Sequence, residues 1–114
     1  MDKNKMVVVL EIAIELLETK GWHKGSYAID QFNNRVPSDS EEACSFCLIG
    51  AISKAVLEVE KDDFDKACVL FNDIKRRLKR FVDSSLAMWN DASGRTKEDV
   101  VRLLRMGINN ATQY

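Results

Sequence analysis

The chain has 114 residues, 17 Lys plus Arg against 18 Asp plus Glu, and a net charge of −1 at pH 7. That balance excludes a polyanion binder working by bulk positive charge, so no nucleic-acid polymer is expected as partner, although a local basic patch stays open. With 46% hydrophobic and 31% charged residues, the composition is that of one folded domain with a modest core, spanning residues 1–114.

No stretch reaches the 18 or so uninterrupted apolar residues that cross a bilayer, and no membrane partner is expected. The start, Met1 to Lys5, is charged, and the apolar positions after it are broken by Glu11, Glu15 and Glu18, so no secretory signal is predicted. Three cysteines, an odd number, suit a reducing compartment better than a disulfide framework. The expected location is the cytoplasm, that of the host cell if the chain is phage-encoded.

The first predicted helix runs from about Lys3 to Lys20 and stops at Gly21. Met6, Leu10, Ala13 and Leu17 form its stripe, widened by Val9 and Leu16, with Val7, Ile12 and Ile14 outside. The apolar arc covers roughly 220°, more than a surface helix needs. The helix is therefore either central or in contact with another subunit, and a homo-oligomer would suit so small a domain. From Trp22 to Pro37 the pattern breaks; Ser26 to Ile29 reads as one arm of a short hairpin near residues 26–36.

Ser38-Asp39-Ser40-Glu41 has the spacing of a capping box and is expected to open the second helix, apolar on nearly every side from Ala43 to Val59. Such a helix belongs at the centre, and Gly50 within it, costing about 1 kcal/mol against alanine, implies a close approach. Phe64, Ala67, Cys68, Phe71, Ile74, Leu78 and Phe81 recur at three and four, predicting a third helix to Val82 that starts after Asp62 and Asp63. A short helical piece, Ser84 to Trp89, precedes a last helix from Lys97 to about Asn109, for which Thr96 and Asp99 have capping spacing. The fold class is all-α, with four to five helices around a central apolar one.

The most informative segment is Trp89-Asn90-Asp91-Ala92-Ser93-Gly94-Arg95-Thr96. It reads first as a tight turn plus cap, and compatibly with that as an anion site built from the Arg95 guanidinium, the Thr96 hydroxyl and free helix amides. Gly21-Trp22-His23-Lys24-Gly25-Ser26-Tyr27 adds aromatic faces able to stack on bases and a lysine; Trp22 is expected to pack, and Tyr27 is the better ligand candidate. Cys44-Ser45-Phe46-Cys47 is a lone CxxC in the most apolar predicted helix, so buried packing outweighs metal or redox chemistry, and no metal ligands are assigned. Lys75-Arg76-Arg77-Leu78-Lys79-Arg80 reads as a solvated helix end complementing the dipole, or as a platform for phosphates. His23 has no evident partner, and no Walker loop, nucleophile elbow or HExxH occurs. A binding protein without catalytic residues or cofactor is the simpler expectation.

Gly21-Trp22…Gly25…Tyr27-Ala28, Cys47-Leu48-Ile49-Gly50-Ala51 and Trp89-Asn90-Asp91…Gly94-Arg95-Thr96 together resemble a family of small phage and bacterial proteins catalogued without a function. The last block is the most specific. Small size and an aromatic–arginine–cap site also make the chain similar to phage anti-defence sponges, such as anti-CBASS proteins, which sequester cyclic nucleotides intact. That likeness implies a homo-oligomer in which Arg95, Thr96 and Lys24 hold phosphates and Tyr27 stacks on a base. Asn90 or Asp91 would read a base edge, and Trp22 and Trp89 would wall the pocket. The rivals are a small protein–protein inhibitor of a host enzyme, a nucleotide or small-molecule hydrolase, and a structural zinc protein.

Overall fold

The computed structural model describes residues 3–112. Five helices and one two-stranded sheet follow in the order α1 (Lys3–Thr19), β1 (Ala28–Ile29), β2 (Ser45–Phe46), α2 (Leu48–Val59), α3 (Phe64–Lys79), α4 (Leu86–Asp91) and α5 (Lys97–Thr112). The fold is all-α with a small β element, as the periodicities imply. α1 ends where glycine follows it, Gly21 taking a φ of +143°. Its wide apolar arc is explained inside the subunit, because α5 and α2 both pack on it and bury Met6, Val9, Leu10, Ala13, Ile14, Leu16 and Leu17. α2 contacts α1, α3, α4 and β2, the central position expected of a helix with few polar sides.

Several boundaries differ from expectation. The Ser38–Glu41 capping spacing opens no helix. Ser40 N–H donates to the Pro37 carbonyl, Ala43 N–H to the Ser40 carbonyl, and Glu42 N–H to Ser40 Oγ, so Ser40 serves tight turns instead, while the Ser38 hydroxyl donates to Ser53 Oγ on α2. α2 starts later because residues 44–47 are taken by pairing. Cys44 N–H donates to the Ile29 carbonyl, Phe46 N–H to Gly21 and Cys47 N–H to Tyr27. The CxxC is consequently split: Cys44 flanks β2, and Cys47 is the N-cap of α2, its Sγ accepting from Gly50 N–H at 3.3 Å.

β1 has two neighbours. It pairs antiparallel with β2, Ala28 opposite Phe46 and Ile29 opposite Ser45. It also meets Arg35 across the reversal expected near residues 26–36, where Asn33 takes a φ of +66° and Asp30 Oδ1 accepts from Phe32 and Asn34 N–H. α3 ends at Lys79, three residues early, and residues 80–82 continue as bonds back to Arg77, Leu78 and Lys79. α4 includes Asn90 and Asp91, which the sequence assigns to the turn, and α5 runs on to Thr112.

Candidate functional site

The three sequence blocks converge on Asn90, which α4 presents inward and which is 1% exposed. Its Oδ1 accepts from the Trp22 indole N–H at 2.7 Å and from the Leu48 N–H at 3.0 Å. Its Nδ2 donates to the His23 carbonyl at 3.3 Å and to Asp91 Oδ1 at 2.9 Å. One amide therefore ties the end of α4 to the 22–23 loop and to the first turn of α2. Asp91 extends the clasp by accepting from Gly25 N–H, and Lys24 Nζ donates to the Ala92 carbonyl at 2.7 Å, with its ammonium 5.9 Å from the Trp22 ring.

Gly50 is the other half of the junction. A Cβ there would lie 1.9 Å from the Tyr27 carbonyl oxygen, so only glycine lets the 22–29 loop lie against α2. Tyr27 itself is 54% exposed, its ring outward and its carbonyl inward. His23 bridges two hydroxyls, Nδ1 with Ser45 Oγ at 2.8 Å and Nε2 with Ser26 Oγ at 3.1 Å. Burial lowers its pKa from the usual 6.5, only partly offset by a hydrogen bond to the Ser26 backbone and by the Asp91 charge. Of the two partners, Ser45 escapes sequence reading because it is 22 residues away. Burial also pushes the Cys47 thiol up, which opposes a reactive thiolate at this helix start.

Beyond this clasp, the turn between α4 and α5 presents Arg95. Its Nε donates to the Trp89 carbonyl at 2.8 Å and its guanidinium lies 4.0 Å from the centre of the Trp89 ring. Among the described residues its terminal nitrogens make no hydrogen bond. Arg95 and Trp89 line a cleft of about 150 Å³ with Phe81, Asp99, Arg102 and Met106. Trp22, Lys24 and Tyr27 are not part of it, so the candidate residues fall into two groups. Thr96 serves the cap of α5: its N–H donates to Asp99 Oδ2 and its Oγ1 accepts from Asp99 N–H. The Thr96 backbone N–H, then its hydroxyl and Arg102, hold the Asp99 carboxyl below its usual range. That carboxylate occupies the helix end where an anion was expected to sit. Among the described residues no three His, Cys, Asp or Glu side chains come together to hold a metal ion.

Five helices, a minimal sheet and a buried asparagine clasp define a small helical domain whose distinctive residues meet at one junction. The chain belongs to a family of unknown function (DUF6197), whose model matches residues 1–110. No curated protein and no solved structure matches it.

Proposed function

We propose that the protein binds a small anionic ligand and releases it chemically unchanged, the ligand class being a cyclic di- or trinucleotide immune signal held as by a phage sponge. The observation that carries this reading is Arg95, stacked on Trp89 and tethered through Nε, with neither terminal nitrogen hydrogen-bonded among the described residues. A guanidinium held this way loses little freedom on gripping a phosphate with two parallel bonds. Arg102 adds a second cation on the cleft, where it pairs with Asp99 at 3.4 Å, and Phe81 and Trp89 supply apolar walls. Tyr27 and Lys24 lie on the exposed loop, while Asn90, Asp91, Trp22 and Thr96 serve the site by holding its frame. The cleft is too small to enclose a whole dinucleotide, so the reading calls for a second copy to close over the ligand.

The test is thermal melting against cyclic di- and trinucleotides, with linear nucleotides as controls. A ligand at 100 times its Kd adds about 2.7 kcal/mol of stability. The expected result is a shift with one cyclic species, its recovery intact after denaturation, and loss of about 1.5–3 kcal/mol of affinity in Arg95→Ala. Degraded ligand would indicate the hydrolase instead. The inhibitor reading loses its original motive, since α1 is covered by α2 and α5, but Phe64 and Val69 on α3 are 71% and 61% exposed. Light scattering separates the two: a stable homo-oligomer supports the sponge, and a monomer with no melting response supports the inhibitor.

A further inference from the structure

The basic run on α3 is not used by the clasp or by the Arg95 cleft. Asn72, Lys75, Arg76 and Lys79 stand at i, i+3, i+4 and i+7, so they share one face of the helix. That face borders a cleft of about 430 Å³ whose other wall includes Leu86, at the start of α4, and Ile49 from α2. Ile49 and Leu86 are 7% and 5% exposed and form an apolar floor. Among the described residues no carboxylate lines this cleft. Asp73 partners Arg76 at 3.0 Å, and Lys75 lies 4.4 Å from the centre of the Phe71 ring. Among the described residues the Lys79 ammonium makes no ion pair or hydrogen bond. Completing the helix dipole accounts for cations near the end of α3. It does not account for Lys75, which stands before that last turn and beside the like charge of Lys79, on a cleft that no carboxylate lines among the described residues.

We infer that this cleft is a second, independent site, for a phosphate-bearing small molecule with a flat apolar body, of the nucleoside phosphate class. Lys75 and Lys79 hold the phosphate, Asn72 supplies a polar contact, and the Ile49–Leu86 floor takes the apolar body. The probe is ADP, titrated into isotope-labelled full-length protein and followed by amide chemical shifts, with adenosine as the uncharged control. The expected result is saturable movement of the Lys75, Lys79 and Leu86 amides with ADP and none with adenosine. The double variant Lys75→Gln/Lys79→Gln, at one half-buried and one exposed position, should melt close to the parent and bind ADP roughly tenfold or more weakly. An unchanged affinity in that variant, an equal response to adenosine, or no saturation in the parent would each overturn the inference. Movement confined to Arg95 and the Trp89 indole would overturn it too, and would support the Arg95 reading instead.

Discussion

Replacing Asn90 with alanine strands the Trp22 indole N–H and the Leu48 amide, both of which donate to its Oδ1, and leaves the His23 carbonyl without its donor. Each unsatisfied buried group costs about 1–3 kcal/mol, so Asn90→Ala should lose about 3 kcal/mol or more in denaturant unfolding. Asn90→Asp should not rescue it. A carboxylate keeps the acceptor but turns a second oxygen towards the His23 carbonyl and Asp91, where a donor is needed. A loss under 1 kcal/mol for alanine would mean that the clasp is not what holds α4 in place. His23 gives a pH signature, and it is the chain's single histidine. Its folded pKa lies below the unfolded 6.5, so the neutral ring's contribution is complete above 6.5 and is lost as pH falls through the folded value. The melting temperature should therefore decline as pH drops below 6.5 and then level off, before the carboxylates titrate. His23→Gln should flatten that segment of the curve; a slope that survives belongs to other groups.

Among the elements, α1, α3 and α5 were legible because an apolar stripe is a local property, repeated several times along each helix. α2 was legible in its body and misread at its start. The Ser38–Glu41 spacing matched a cap, but β2 formed across residues 45–46, and the Cys47 thiol capped instead. Local side-chain preference there competes with backbone bonds to Gly21, Tyr27 and Ile29, and the bonds that bury Phe46 prevail. A glycine inside so apolar a helix implies a close approach, and the Tyr27 backbone, which no local signal names, is what lies against Gly50. Two glycine substitutions test this contrast. Gly50→Ala drives a methyl into a carbonyl oxygen and should cost about 3 kcal/mol or prevent folding. Gly107→Ala on α5 meets only the flexible ends of Leu78 and Leu10, at 2.7 and 3.3 Å, and gains helix propensity, so its net cost should stay near 1 kcal/mol. Equal losses in the two variants would remove the special role assigned to Gly50.

At the scale of the whole molecule, the packing order sets how the three cysteines meet solvent. Cys68 is exposed on α3, Cys44 is half-buried beside β2, and Cys47 is buried at the junction with its thiol pushed up by burial. A thiol reagent in native buffer should modify Cys68 first and Cys47 last, the latter at a rate set by opening of the α2–loop junction. Fast labelling of Cys47 would show that the junction opens far more easily than its hydrogen bonds imply. The candidate site divides along the same line. Arg95 stood out because a cation between a glycine and a capping threonine is visible in eight residues. Phe81, Arg102 and Met106, which complete its cleft, carried no signal, because three elements had to pack before they met. By itself the sequence determined the helical class, the positions of the long helices and the residues that punctuate them, since periodicity and punctuation act over one or two turns. Only the tertiary structure decided where α2 begins, that α1 is covered inside the subunit, and that Asn90 is buried. Those outcomes rest on partners as much as 68 positions apart, joined by bonds that form only once the chain has brought them together.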